Sequence, residues 1–581
     1  MTSLITELDN NTALKYGENG HLQYGWSNNV QELILQFSFQ LNRTDNNTLL
    51  LLSEQLRNIL STIKSNFAYD SFNEKQLAKG HLSMLYKMIG HTRDIIEGKG
   101  EYNLTYMMIY TWYDFFPELS KFAIKCMVQH ESTTIHPYGS WKDIKYFCEY
   151  CKSQTHNKQH PLIKYAIEIA NEQLKEDNDA YIYGSKDISL VAKWIPREKT
   201  SFGWLYKYFA INYFPEYIET ASDSVQLERA ILKCKTAYRK ILSTLNTAID
   251  TLQIKQCGHE WSNINFNQVT SISLSKQKKA FLNIKPNGEI RRPTDNDRIN
   301  CATNFKAHIQ KAVDGEIEIK GKRLGMADFT KQAIHLLHQH IECNSEKNLL
   351  NSQWRDNSTQ NKQLGKMIAM VDVSGSMNGD PMNAAIALGI RIAEKSLLGK
   401  RVMTFSSNPT WVNLEDTPDF ISQVQILMKS EWGMNTNFYA AFDLILNAII
   451  QNKMAPEDVQ DMVLVILSDM QIDCGDKCNK QTLYDTMKTK YEAAGLRVHG
   501  VPYKPPHILF WNLRSTSGFP SLSNQPNASM MSGFSPILLN MFCEEGVDAL
   551  EACSPWTTLQ RCLENDRYKI MGDKFELLVI N

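Results

Sequence analysis

The residues best suited to chemistry in this chain are an aspartate and two serines that follow an apolar run. Asp372, Ser374 and Ser376 stand in the pattern Asp-x-Ser-x-Ser, directly after the apolar residues 367–371. Carboxylate and hydroxyl oxygens are the ligands that hard divalent cations such as Mg²⁺ prefer in proteins. The spacing therefore predicts a metal site on a turn that ends a strand.

Two later segments are placed to complete this site. Thr436 lies in the polar stretch 433–437, which opens a predicted helix, and Asp469 follows the apolar run 463–468. Ligands of open α/β sheets bind beyond the carboxyl ends of the strands, so we expect Asp372 and Asp469 at the same edge. A single aspartate after a strand is usually a turn residue, but three matching segments in this order favour a metal site.

This order of residues resembles the metal-ion-dependent adhesion site of von Willebrand factor type A domains. The resemblance implies that Ser374 and Ser376 bind Mg²⁺ directly, and that Asp372, Thr436 and Asp469 contribute directly or through water. It also implies an open coordination position for an acidic group of a partner protein. Mn²⁺ and Ca²⁺ are alternative ions, although hydroxyls and waters suit the small octahedral Mg²⁺.

The elements around these residues predict a doubly wound sheet over residues 366–581. Asp380 and Pro381 are typical of the start of a helix, which the pattern continues to residue 398. The mostly apolar runs 401–405 and 508–511 are expected of strands buried on both faces. Strands that alternate with helices indicate an α/β domain with a mostly parallel sheet.

The chain before this domain has helical character. Apolar residues at helical spacing, as in the stretches 119–127 and 242–252, predict amphipathic helices with buried stripes. No clean repeat period is present, so we expect an irregular helical-repeat, HEAT-like domain over residues 1–342. The polar, loosely patterned residues 343–365 are predicted to be a linker.

A helical front half joined to a von Willebrand A domain is similar to the architecture of the Ro autoantigen. That family binds small RNAs, taking their single-stranded ends through a ring of HEAT-like repeats. The chain resembles more closely an uncharacterised TROVE-like family, a domain of unknown function of plants and giant DNA viruses. The segments that carry this likeness are 138–143, 193–196, 238–240, 432–436 and 510–514. The resemblance implies the architecture and gives no established activity.

An RNA site has to be sought among basic residues. The best candidates are Lys276, Lys278, Lys279, Arg291 and Arg292. Phe281 lies between them and is predicted to stack on a base. Such a basic run is more often a solvated helix face, so it favours RNA only in combination with the Ro-like architecture.

Composition and charge limit the classes of protein to which the chain can belong. The chain has 581 residues, 43% hydrophobic and 22% charged, which is ordinary for globular domains. The formal net charge of −1 shows no overall basic bias toward nucleic acid. The N-terminus has no secretory pattern, and no 18-residue apolar span is present. We therefore expect 12 reduced cysteines in an intracellular protein with no membrane segment, virion-associated if the source is viral.

Several common catalytic motifs are absent from the sequence. Ser374 stands where phosphatases of the haloacid dehalogenase type need a second aspartate, and Thr134 replaces the second histidine of H-E-x-x-H. Cys148, Cys151, His156 and His160 have zinc-like ligand types at an unusually short spacing, so zinc is an open alternative there.

The sequence predicts a non-enzymatic binding protein, specifically a Ro-like RNA-binding component with a Mg²⁺-dependent ligand site. The alternative is a scaffold that uses the metal site for protein contacts and has no nucleic-acid role. The charge on the interior of the helical part is the feature that separates these two hypotheses.

Overall fold

Helices dominate the chain up to residue 358, and a mostly parallel sheet of six strands follows within the described residues. The computed structural model describes residues 14–17, 20–66, 72–132, 134–339, 343–405, 408–430, 437–471, 482–516, 518–543 and 552–579. The coarse fold class predicted from the sequence, a helical part followed by a mixed α/β part, is confirmed.

The front part begins with a short antiparallel hairpin and continues in helices. The hairpin consists of Leu14–Tyr16 (β1) and Leu22–Tyr24 (β2). The helices that follow are Val30–Gln40 (α1), Asn46–Asn66 (α2), Phe72–Arg93 (α3), Asn103–Tyr113 (α4), Pro117–Val128 (α5), Lys142–Thr155 (α6), Pro161–Ile182 (α7), Val191–Trp194 (α8), Gly203–Tyr213 (α9), Pro215–Glu219 (α10) and Ser224–Ala248 (α11). The predicted stripe at residues 119–127 lies on α5, where Leu119, Ala123 and Met127 are buried.

Further helices lead from this part toward the sheet. They are Leu252–Cys257 (α12), Ser271–Phe281 (α13), Asn296–Val313 (α14), Met326–Leu337 (α15) and Asn344–Ser358 (α16). Helices α13 and α14 enclose a separate apolar cluster around Phe266, Phe281 and Phe305. No helix among the described residues combines the length and the apolar character needed to cross a membrane.

Helix α16 corrects the prediction of a linker at residues 343–365. Leu350 and Trp354 on this helix are buried in the core of the sheet part. The Trp354 ring stacks on Phe420 with 3.9 Å between ring centroids, and its indole N–H donates to the Glu394 carboxylate at 3.0 Å. The linker prediction is wrong for α16 because a few large apolar side chains bury it despite its polar composition.

The sheet consists of Lys366–Asp372 (β3), Arg401–Phe405 (β4), Thr410–Asn413 (β5), Met462–Ser468 (β6), His507–Asn512 (β7) and Ala528–Ser532 (β8). The strand order is β5-β4-β3-β6-β7-β8, and β5 is the antiparallel edge strand. Strands β3 and β6 pair in parallel, with Met370 opposite Ile466. Both strands are buried along almost their whole length, which agrees with their continuous apolar sequences.

Helices cover both faces of this sheet. They are Asp380–Lys395 (α17), Phe420–Leu427 (α18), Phe438–Gln451 (α19), Pro456–Gln460 (α20) and Leu483–His499 (α21). Helix α17 begins at the predicted Asp380-Pro381 and packs closely on β3. A Cβ on Gly389 would lie 2.5 Å from Cγ2 of Val371, so glycine allows this close approach.

The helical part and the sheet part share one core. Pro555–Leu563 (α22) and Lys569–Val579 (α23) follow the sheet and pack against α3. The Arg567 guanidinium donates two hydrogen bonds to the Asp94 carboxylate, at 2.6 and 2.7 Å. The Lys99 ammonium bridges the end of α1 to β8, because it donates to Ser38 O and to the Ser532 hydroxyl. The end of α1 therefore lies beside the carboxyl edge of the sheet.

Candidate metal site

Asp372 is the last residue of β3 and lies at the carboxyl end of the parallel strands. Its side chain is fully buried. The backbone N–H of Ser374 donates to Oδ1 at 2.9 Å, and the Ser468 hydroxyl donates to Oδ2 at 2.6 Å. Both carboxylate oxygens are thus fixed by neighbours at the ends of β3 and β6.

The turn after β3 places two hydroxyls side by side. Residues Gly375–Met377 form a 3₁₀ turn with Ser374 at its N-cap. The hydroxyl oxygens of Ser374 and Ser376 are 3.1 Å apart. Adjacent ligands of an octahedral Mg²⁺ lie about 2.9 Å apart when each metal–oxygen distance is about 2.05 Å. The two hydroxyls therefore have nearly the separation that neighbouring ligands require.

Asp469 directly follows β6, the strand next to β3. Its carboxylate is buried, and Oδ1 accepts a hydrogen bond from the Gln471 backbone at 3.2 Å. Oδ2 accepts none from the part of the chain that the structure describes. Met470, the next residue, has a φ of 62°, which few non-glycine residues adopt. Strained backbone of this kind is common beside functional residues.

The electrostatics of the site favour an added positive charge. Burial and the nearby Asp469 carboxylate raise the pKa of Asp372 to about 7. Burial also raises the pKa of Asp469, although the Ser376 hydroxyl and the charge of Arg514 oppose this shift. Two buried carboxylates repel each other in a medium of low dielectric, and a divalent cation between them would remove that cost.

Arg514 is a site residue that the sequence analysis missed. Its guanidinium donates a hydrogen bond to the backbone carbonyl of Ser376. It reaches the turn from the end of β7, whose last residue is Asn512. The sequence could have indicated Arg514, because this residue lies just beyond a predicted buried strand, at the same sheet edge as Asp372 and Asp469. A guanidinium there can bind an anionic group that approaches the metal.

Thr436 lies outside the described residues. The description resumes at Asn437, which caps α19 by accepting a hydrogen bond from the Ala440 backbone at 3.0 Å. The structure thus brings together Asp372, Ser374, Ser376 and Asp469, and the contribution of Thr436 stays a prediction.

The donors fit a hard cation. Oxygen ligands from carboxylates and hydroxyls suit Mg²⁺, Mn²⁺ or Ca²⁺ and suit zinc poorly. The orphaned Oδ2 of Asp469 is a buried acceptor that such an ion would satisfy. Only two of the four donors at this site are acidic. A cluster of three or more His, Cys, Asp or Glu side chains that could hold a metal does not occur within the described ranges.

The zinc alternative at residues 148–160 is not supported by the positions of its members. Cys148 and Cys151 are buried on α6, and burial raises the pKa of both thiols. His160 caps α7 through Nδ1, which accepts a hydrogen bond from the Leu162 backbone at 3.3 Å. These side chains serve the packing of α6 and the start of α7.

The predicted nucleic-acid residues lie on and just after α13. Lys276, Arg291 and Arg292 are exposed. Lys278 is partly buried and donates to the Gln332 side chain at 2.7 Å, and burial lowers its pKa. Lys279 lines a cleft of about 330 Å³ together with Lys285 and Lys306. Their role in RNA binding stays a prediction.

The ring of Phe281 is not exposed, as the predicted stacking on a base would require. Its side chain is fully buried, and its ring lies 5.3 Å from Phe266 and 5.4 Å from Phe305, measured between centroids. The prediction is wrong because the helical position of Phe281 turns it toward the core of α13 and α14 rather than toward the lysines.

Comparison with known proteins finds two family models. One domain of unknown function, DUF2828, matches residues 151–367, and another, DUF7788, matches residues 366–570. The chain is also similar to Uncharacterized protein L728 of Acanthamoeba polyphaga mimivirus. The identity is 27% over 546 residues, which cover 90% of this chain and 84% of the viral protein. These relatives agree with an architecture of two successive parts and name no activity.

Proposed function

We propose that residues 366–581 form a von Willebrand A-like domain whose metal-ion-dependent site binds Mg²⁺, and that the protein acts by binding rather than by catalysis. The observation that carries this proposal is the cluster of Asp372, Ser374, Ser376 and Asp469, with paired hydroxyls and an orphaned buried carboxylate oxygen. The strand order and the placement of all four residues at one sheet edge support it.

The proposed ligand is an anionic group of a partner. The two carboxylates at most balance the ion's charge of +2, and the hydroxyls and water add none, so an acidic ligand can complete the coordination at the remaining open position. Ser376 is partly exposed, which gives such a ligand access to that side of the turn. Arg514 supplies a second positive group beside the metal position.

We further propose that the protein is a ribonucleoprotein component similar to the Ro autoantigen, with RNA bound by its helical part. The support is the shared order of a helical part before a von Willebrand A-like part. The alternative function is a protein scaffold that uses the metal site and binds no RNA. Failure to bind RNA, with the metal site intact, is the result that would favour the scaffold.

Thermal unfolding with Mg²⁺ and with EDTA tests the metal proposal. At an Mg²⁺ concentration about 100 times the dissociation constant, bound ion should stabilise the native protein by about 2.7 kcal/mol. Asp372→Ala should abolish this stabilisation, because it removes a buried carboxylate of the site. Asp443→Asn is a matched control, since Asp443 is an exposed carboxylate paired with Lys490 in the same part of the chain.

Ser376→Ala gives a milder variant in which both carboxylates remain. It should bind Mg²⁺ more weakly than the unchanged protein and unfold normally in EDTA. Equal Mg²⁺ stabilisation in the unchanged protein and in Asp372→Ala would overturn the metal assignment.

A further inference from the structure

Lysine side chains and aromatic rings form a dense group on α6, α8 and the segments around them. We call this group the basic-aromatic cluster; its members are Lys142, Lys145, Lys193, Tyr102, Tyr146, Trp194 and Phe202. The Lys145 ammonium lies 4.8 Å from the centroid of the Trp194 ring, and the Lys142 ammonium lies 5.1 Å from that of Tyr146. These side chains are all partly exposed, so a ligand can reach them.

The three lysines of this cluster have no ion-pair partner within the described residues. Across the described ranges, none of their ammonium groups forms an ion pair or a hydrogen bond with a carboxylate. The nearest acid in sequence, Asp143, is fully buried and already holds the Arg93 guanidinium at 2.6 and 2.8 Å. The Asp143 charge therefore offsets that of Lys142 only in part, and positive charge accumulates here.

Repulsion between neighbouring ammonium groups adds to the free-energy cost of burying them. Burial lowers the pKa of Lys142, and the charge of Lys276 lowers it further. Burial and the neighbouring Lys142 likewise lower the pKa of Lys145. Cation–π contacts explain why each lysine lies over a ring, but they do not explain why Lys142 lies near both Lys145 and Lys276. Lys276 on α13 thus extends the cluster toward the basic stretch predicted from the sequence.

A cleft adjoins the cluster and leads toward the metal site. It has a volume of about 420 Å³ and is lined in part by Tyr102, Lys142, Tyr146 and the ion pair of Arg43 with Glu101. That volume is within the range of small-ligand pockets and suits one nucleotide unit. At its other end, the hydroxyl of Thr44 lies 3.1 Å from that of Ser515.

Ser515 follows Arg514, the residue that contacts the metal turn through Ser376. The carboxylate of Glu101, and to a smaller extent that of Asp380, raises the pKa of Arg43. Asp380 is the first residue of the helix after the metal turn. The cleft and the candidate metal site are therefore neighbours rather than separate surfaces.

We propose that the basic-aromatic cluster and its cleft bind single-stranded RNA, with phosphates on the lysines and unpaired bases against the aromatic rings. The proposal rests on the RNA-binding role proposed above and names the site and the form of the RNA. Several lysines without an ion-pair partner suit a polyanion, and partly exposed aromatic rings suit bases that are not already paired. Trp194 makes no ring-to-ring contact with the other described aromatic side chains. The lysine ammonium groups over its ring would move onto the phosphates when a base stacks there. A folded duplex offers no such bases.

Fluorescence anisotropy with a labelled 12-nucleotide oligouridylate tests the proposal, in EDTA and in Mg²⁺ and over a series of salt concentrations. The variant K142Q/K145Q/K193Q should bind more weakly, and its salt slope should fall by about two, since each lost phosphate contact contributes about 0.7. The matched control K164Q/K186Q/K207Q makes the same charge change at three exposed lysines of the helical part. It should bind like the unchanged protein.

Two single variants keep the test valid if the triple variant folds poorly. Lys276→Gln changes an exposed residue and should lower the salt slope by less than one. Trp194→Ala should reduce affinity at least about fivefold at every salt concentration, because stacking is lost rather than charge.

The outcomes separate this inference from the proposed function. If the unchanged protein binds RNA and all cluster variants bind equally well, the cluster is not the site, although the RNA-binding role stands. If the unchanged protein binds no RNA while Mg²⁺ still stabilises it, both RNA proposals fail and the metal site stands. Equal or tighter binding of a labelled polyglutamate peptide, lost in the triple variant, would assign the cluster to acidic proteins and overturn the RNA assignment.

Discussion

Lys99 provides a quantitative test of how the helical part is joined to the sheet. Its ammonium is buried where α1 meets β8, and it donates to the carbonyls of Ser38 and Leu41 and to the Ser532 hydroxyl at 3.1, 3.2 and 2.5 Å. Burial lowers the pKa of Lys99 from 10.5 to about 7, although the nearby Glu101 opposes the shift. The proposed perturbation is Lys99→Met, which keeps the length and removes the titrating group.

The sign of the pH effect follows from the lowered pKa. Between about pH 7 and about pH 10.5, the unfolded chain binds a proton at Lys99 that the folded protein does not bind. The free energy of unfolding of the unchanged protein should therefore rise with pH in this window, relative to that of Lys99→Met. Each pH unit contributes about 1.4 kcal/mol, so the two units from about pH 7 to about pH 9 contribute about 3 kcal/mol.

Urea unfolding of both proteins at the two pH values measures this difference, and other titrating groups cancel in the comparison. Lys125→Met is the control, because Lys125 is exposed on α5 and its charge stays in water. The difference between the unchanged protein and Lys99→Met should move by about 3 kcal/mol in favour of the unchanged protein at the higher pH. Parallel pH profiles for the two proteins would refute the lowered pKa of Lys99 and hence its burial at this junction.

Two further predictions test the packing of the helical part. Phe281→Ala should lower the free energy of unfolding by about 3–5 kcal/mol, as measured by urea denaturation, because it empties a core position. RNA affinity of the folded variant should not change, and a loss of affinity without destabilisation would restore the stacking role of Phe281. Gly321→Ala should destabilise by about 1–3 kcal/mol, since the added Cβ would lie 1.8 Å from the Gln353 carbonyl oxygen on α16. Gly365→Ala meets no atom within 4 Å and serves as control; equal effects of both variants would contradict the packed position of α16.

The sheet part was largely predictable because its signals are local. The predicted strand 401–405 is observed with the same bounds, and the predicted strand 508–511 differs from β7 by one residue at each end. Short continuous apolar runs are typical of strands that are buried on both faces of a parallel sheet. Since side chains after such strands meet at one edge, the sequence alone is enough to expect Asp372 and Asp469 together.

The helical part was less predictable because its contacts join residues distant in the chain. Residues 344–358 are polar on average, and only the packing of Trp354 against Phe420 shows that they form part of a core. The stacking prediction for Phe281 used sequence proximity to lysines, whereas the helix directs this ring to the opposite side.

The basic-aromatic cluster could not be predicted from the sequence either, because its members are distant from one another in the chain. Lys142, Lys193 and Lys276 are separated by dozens of residues, and no basic run marks the first two. The resemblance to TROVE-like proteins included their neighbours, residues 138–143 and 193–196, without indicating a reason for the likeness. Their proximity in the folded chain indicates one shared surface, which the separate segments did not indicate.

The most direct test of the metal assignment is anomalous diffraction from crystals of the full chain soaked in Mn²⁺. The account predicts one peak at the carboxyl edge of the sheet, about 2.0–2.3 Å from the hydroxyl oxygens of Ser374 and Ser376. The same peak should be absent from crystals of Asp372→Ala. Crystals that show Mn²⁺ at other positions and none beside these two serines would contradict the central claim.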